Sequence, residues 1–159
     1  MREILFRGQT RRLGEKVWMN GEKVPSNWAY GGICQGKGAF SIIYGSMDSE
    51  LESPTEKHVI YTDTIGQYTG LTDKNGKKIF DGDIIKQTFH LNGFERDVLS
   101  VIEYGISYAY SNVCGVCERF SDGSGIAMLS VGDQTGVVFC EVIGNIHDNP
   151  ELLIGGKKE

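Results

Sequence analysis

Cys114-Gly-Val-Cys117 has the spacing at which two thiolates can reach one tetrahedral zinc ion or work as a redox pair. A closed zinc site needs two further ligands. Cys34 and Cys140 stand alone in the chain, and His58, His90 and His147 are isolated from one another. A thioredoxin-like pair opens a helix after a βαβ strand, and no such pattern surrounds Cys114. Cys114 and Cys117 are thus weak candidates, and neither a metal site nor a cofactor is assigned. Residues 31–37, Gly-Gly-Ile-Cys-Gln-Gly-Lys, approach a phosphate-binding loop. Gly38 stands where a Ser or Thr would hold magnesium, and a strand-like run follows where a helix should open. Asp73, Asp81 and Asp83 could serve as acid–base or metal carboxylates, but each falls at a turn where Asp caps its own backbone. No Ser or Cys lies beside a histidine in a nucleophile setting such as Gly-x-Ser-x-Gly. No catalytic residue is assigned, and the chain is expected not to be an enzyme.

Charge and aromatic content point to surfaces instead. The net charge of −5 is unevenly placed: residues 1–24 hold six basic and three acidic side chains, residues 101–159 three and eight. Nucleic-acid affinity rests on Lys and Arg displacing counterions, so a pI near 5.2 argues against a broad phosphate-binding face. Arg7, Arg11 and Arg12 in the basic N-terminal segment are the candidate nucleic-acid contacts. Tyr and Trp exceed what a small barrel needs inside, and exposed rings favour protein contacts or base stacking. Trp18, Trp28, Tyr30 and Tyr68 are the candidate interface residues, with Tyr44, Tyr61, Tyr104, Tyr108 and Tyr110 in the same surplus.

The elements that would position these groups are strands. Twenty-two glycines and only three prolines, scattered between β-branched and aromatic runs, favour short strands joined by tight turns. Residues 4–6 read as a first strand. Asn20-Gly21 between residues 17–19 and 22–24 is a hairpin signal. Residues 29–38 read as a glycine-rich loop, 39–44 as a strand, 46–57 as an acidic connection and 58–62 as a strand. Asp73-Lys74-Asn75-Gly76 is a second hairpin tip, and Asp81-Gly82-Asp83 a third turn, after which Ile84 and Ile85 enter the core as in small SH3-like barrels. Residues 98–104, 126–131 and 136–143 read as strands, while 105–125 has no clear pattern. Asn149 as N-cap with Pro150 first in the helix predicts one C-terminal helical turn. No stretch approaches the ~20 apolar residues that span a bilayer, and residues 1–7 do not form a signal peptide. A cytoplasmic setting with reduced cysteines is expected.

Two segments carry a family resemblance. Residues 65–85, IGQYTGLTDKNGKKIFDGDII, resemble the signature of the YopX family of bacteriophage and prophage proteins. Residues 141–153, EVIGNIHDNPELL, resemble its closing motif, and Arg2-Glu3-Ile4-Leu5-Phe6-Arg7-Gly8 followed by Trp18 resembles its opening. The resemblance implies an SH3-type barrel and a phage or prophage origin within a bacterial host, and it brings no established activity. Residues 86–135 carry no family pattern.

The expected fold is mainly β: a small SH3-like barrel core, an additional N-terminal β-hairpin with strands, and a short C-terminal helical turn. Residues 1–63 are expected to form an N-terminal β segment packed on the core, 64–154 the core, and 155–159 a frayed tail. The expected role is a non-enzymatic accessory protein that associates with itself or with a host or phage protein. A nucleic-acid-binding regulator acting through the basic segment is the alternative.

Overall fold

The computed structural model describes residues 4–19, 22–45, 57–107, 114–128 and 138–154. The described residues are mainly strand, in two antiparallel sheets and a separate hairpin, with one short helix and no closed barrel among them. The chain divides into two units, Met1–Tyr68 and Thr69–Glu159, and the division falls inside one strand.

In the first unit, β1 (Phe6–Gln9), β4 (Trp28–Cys34), β5 (Phe40–Gly45) and β6 (Lys57–Tyr61) pair antiparallel in the order β6-β5-β4-β1. β7 (Gly66–Thr72) begins beside β1, where Phe6 faces Gln67. The sheet curls until Thr10, just past β1, bridges Ile60 on β6. The backbone N–H of Arg11 then donates to the Val59 carbonyl. Ala29, Ile43 and Ile60 fill the inside, with Ile33 and Ile65 packed against them. Period-2 alternation places them there: along β6, His58 and Ile60 are buried while Lys57, Val59 and Tyr61 are exposed. A separate hairpin pairs β2 (Glu15–Met19) with β3 (Glu22–Ser26), Val17 facing Val24; its turn, Asn20-Gly21, lies outside the described residues.

Residues 29–38, expected as a loop, are a strand as far as Cys34. Gly31, at φ 155°, lies against the Tyr44 carbonyl of β5, so its missing side chain is a packing requirement of the sheet. The segment is thereby no phosphate loop: a strand, bends and another strand succeed one another, and no helix opens.

In the second unit, the far half of β7 runs beside β8 (Lys78–Phe80). A five-stranded sheet has the order β12-β11-β10-β9-β13. Its members are β9 (Asp83–Leu91), β10 (Phe94–Ser107), β11 (Cys114–Phe120), β12 (Ile126–Met128) and β13 (Glu141–Asn145). β9 and β10 form one long hairpin in which Leu91 faces Phe94 across Asn92-Gly93, both at positive φ. Ile79, Ile85, Ile102, Val138, Cys140 and Val142 make the core. Residues 136–143 were expected as one strand, but of the described part only β13 from Glu141 is extended pairing. Val138 to Cys140 is irregular, held by Val138 N–H to Thr72 and by the Cys140 carbonyl receiving Lys74 N–H. The helix α1 (Glu151–Ile154) closes the described chain.

A candidate interaction surface

On the outward side of β5 and β6 apolar rings meet solvent, as they do singly at Phe89, Phe94 and Phe139 elsewhere. Phe40 and Tyr61 are register partners, both more than a third exposed, with ring centroids 5.4 Å apart at 41°. On the same face, two residues along, the exposed Val59 faces the half-buried Ile42, and two further along Lys57 faces Tyr44. The Arg11 guanidinium lies 4.9 Å from the Phe40 ring centre, a cation–π arrangement. Cys34, an exposed thiol, sits opposite Ile42 on β4. The pattern is an apolar stripe on a sheet face, edged by cations.

The residues singled out from sequence are distributed differently. Trp28 is buried, and the Arg7 guanidinium, itself buried, stacks 5.1 Å from its ring. Tyr68 is buried and Tyr30 half-buried. Of Trp18 only the backbone is described, and Tyr108 and Tyr110 lie outside the described residues. Arg11 and Arg12 are exposed, so the three arginines do not form one basic face. Phe40 and Val59 escaped notice because Val59 and Tyr61 alternate with His58 and Ile60. Both faces of that run look equally suited to a core.

The cysteines and aspartates have structural settings. Positions 114 and 117 lie on one extended strand, β11. Cys117 is fully buried, and of Cys114 only the backbone is described. Among the described residues no group of three His, Cys, Asp or Glu is placed to hold a metal ion. Asp73 accepts the N–H groups of Asn75 and Lys77 on Oδ1 and of Val142 on Oδ2. Asp83 accepts Phe80 N–H, and Asp81 accepts Tyr104 N–H from β10.

Burial and the negative charges of Asp73, Glu118 and Asp83 push the Cys140 thiol up to about 12, against a smaller opposing pull from Lys74. The reactive form of cysteine is the thiolate, so Cys140 is shielded twice, by burial and by its neighbours. Native protein treated with iodoacetamide near pH 8 is therefore expected to carry the label on Cys34, with Cys117 and Cys140 modified only after denaturation. Peptide mass spectrometry reads the outcome, and fast labelling of Cys140 would refute it.

The inner face of the second sheet carries polar groups in an apolar setting. The register pairs Ser100 with Ile85 and Phe120, which places Gln87, Ser100 and Glu118 on one face with Ile85 and Ile102. All three are buried, and Gln87 Oε1, Ser100 Oγ and Glu118 Oε2 have no hydrogen-bond partner among the described residues. Burial raises the Glu118 carboxyl above its ordinary 4.5, while the nearby Ser100 hydroxyl pulls the other way without reaching Oε2 in bonding geometry. A carboxyl whose folded pKa is raised favours the fold below about pH 4.5. That contribution is lost as pH rises through the folded value, because the unfolded chain ionises first. Glu118→Gln is thus expected to match the parent at pH 4 and exceed its melting temperature at pH 8. Thermal melts across that range test it; equal melting at both ends would refute the assignment.

Beside the same sheet a groove of about 470 Å³ is lined by Lys86, Arg96, Leu99 and Leu152 among others. Its charges satisfy one another: Lys86 pairs with Asp97 at 2.8 Å and Arg96 with Asp122 at 3.5 Å, while Thr88 donates to Asp97. The Lys86 ammonium holds Asp97 below the usual carboxylate range. No helix among the described residues is long and apolar enough to cross a membrane.

Comparison with known proteins adds one family. A family model described as YopX protein matches residues 18–154. No curated protein matches the chain. Among solved structures, the crystal structure of protein EF1440 from Enterococcus faecalis is 26% identical, covering 72% of this chain and 74% of that one, with a TM-score of 0.30.

Proposed function

Since the chain belongs to the YopX family, we propose that it is a phage- or prophage-encoded accessory protein that works by protein association, without catalysis, in the bacterial cytoplasm. The exposed Phe40–Tyr61 pair on an ordered sheet carries this reading. Rings held in place on strands lose little freedom when a partner covers them, which is why aromatic residues dominate interface energetics. The second unit, with Gly82 bending the chain before Ile84 and Ile85 enter the core, is taken as an open SH3-like arrangement that serves as scaffold. A nucleic-acid role would rest on Arg11 and Arg12, because Arg7 is buried against Trp28. In the test, tagged wild-type protein and the double variant Phe40→Ser, Tyr61→Ser are recovered from the host during prophage induction. Both sites are exposed, so equal circular dichroism and melting are expected. A stoichiometric partner or self-association that the variant loses supports the proposal; a strict monomer, or a partner retained equally by both proteins, overturns it.

A further inference from the structure

We infer that the outward face of β5 and β6 selects an acidic, extended polypeptide segment bearing apolar side chains. This rests on the protein-association reading and names what that surface takes. The first observation is charge. In the second unit Lys74, Lys86, Arg96 and Arg119 are each paired with an Asp or Glu. Among the described residues Arg11, Arg12 and Lys57 are exposed and have no acid partner, although the chain as a whole is acidic. Among the described residues Asp63, on the turn after Tyr61, is one exposed acid against these three cations.

The second observation is where two of the cations sit. Arg11 stacks on Phe40, and Lys57 lies on the face of Val59 and Tyr61 by strand alternation. A guanidinium that stacks through its plane keeps its N–H edge for a carboxylate, which it can grip through two parallel bonds. The stripe between the cations, Phe40 with Val59 and Tyr61, is apolar and about two strands wide. An extended segment with alternating acidic and apolar residues matches it, one set toward the rings and the other toward the rim.

Two other occupants fit less well. Two copies meeting face to face would set Arg11 and Lys57 of one against like charges of the other, since a two-fold interface pairs a patch with itself. A nucleic acid would gain few phosphate contacts from three cations on a chain of charge −5, and the aliphatic Val59 offers no stacking plane.

The test uses the full chain and three labelled probes of about ten residues or nucleotides, a length that spans such a stripe at ~3.3 Å per residue. The probes are a peptide alternating Glu and Tyr, its Lys–Tyr counterpart, and oligothymidylate, followed by fluorescence anisotropy. The expected result is saturable binding of the Glu–Tyr peptide that weakens with added salt. It should fall roughly tenfold with Arg11→Glu and be lost with Phe40→Ser, Tyr61→Ser. The inference is overturned if the Lys–Tyr peptide or oligothymidylate binds as tightly, if Arg11→Glu changes nothing, or if no probe binds. Sedimentation showing a dimer that Phe40→Ser dissolves would overturn it too, by making a second copy the occupant. Should the double variant lose its cellular partner while Arg11→Glu leaves peptide binding intact, the acidic selectivity fails and protein association stands. If the double variant keeps its partner, protein association itself fails.

Discussion

Gly31→Ala is expected to destabilise the first unit by about 3 kcal/mol or more, whereas Gly32→Ala, one residue on, is expected to be nearly neutral. A Cβ at Gly31 would run into the Tyr44 carbonyl oxygen and carbon of the paired strand, and the backbone there, at φ 155°, disfavours any side chain. Backbone atoms cannot swing aside as a flexible side chain can. The register Gly31↔Gly45, Gly32↔Tyr44 would have to open, and β5 carries Phe40 and Ile42 of the exposed face. A Cβ at Gly32 meets nothing within 4 Å. Urea denaturation followed by circular dichroism compares the two, and peptide binding should fall with Gly31→Ala alone. Equal midpoints for the two variants would show that the strand pairing tolerates the added carbon.

Asp73→Ala is the second large expectation, a loss of roughly 3 kcal/mol in the second unit. One carboxylate gathers three backbone donors: Asn75 and Lys77 within its own turn, at 2.8 and 2.9 Å, and Val142 at 3.0 Å, 69 residues away. Removing it leaves the buried Val142 N–H without an acceptor, and an unmet buried donor costs about 1–3 kcal/mol by itself. The turn also loses the two bonds that hold Gly76 at φ 81°. Asp73→Asn keeps one carbonyl oxygen but turns an NH₂ toward an N–H on the other side, so an intermediate loss is expected. Equilibrium unfolding of the three proteins should rank them parent, Asn, Ala. A shift below about 1 kcal/mol for Ala would mean that water replaces the carboxylate at all three donors.

Asp73 shows what the recognised motifs are for. Residues 65–85 and 141–153 are rich in turn and cap residues, and the bonds they make are structural. Gly82 at φ 81° makes the bend, Asp83 caps Phe80, and Thr69 donates to the Ile79 carbonyl. In the closing motif Asn145 Oδ1 receives the N–H groups of His147 and Asp148, and a Cβ at Gly144 would collide with the Asn149 side chain. Asn149 was expected to cap α1; its carboxamide oxygen instead accepts Asn145 N–H at 3.4 Å. The motif residues therefore specify the scaffold, while the exposed stripe on β5 and β6 falls outside them.

Local chemistry was legible wherever a single turn decides it. The tip at residues 73–76, the bend at 81–83 and the final helical turn all follow from positive-φ glycines, Asx bonding and Pro150. Asn92-Gly93 carries the same signal and would have joined β9 to β10, so that hairpin was readable though unread. Residues 105–125 were not readable. The irregular register between Tyr104 and Ile106 breaks the alternation, and β11 sets Glu118 inward, where an exposed carboxylate would be expected.

From the order of its residues alone, the chain is committed to strands, tight turns and a family scaffold, because glycine bends and β-branched runs act over a few neighbours. Which side of each strand meets solvent was settled by tertiary packing. Alternation defines two faces, but only partners far along the chain cover one of them. So Trp28 and Arg7 are buried against each other, Gly31 is closed in by Tyr44, and Phe40, Val59 and Tyr61 are left facing outward.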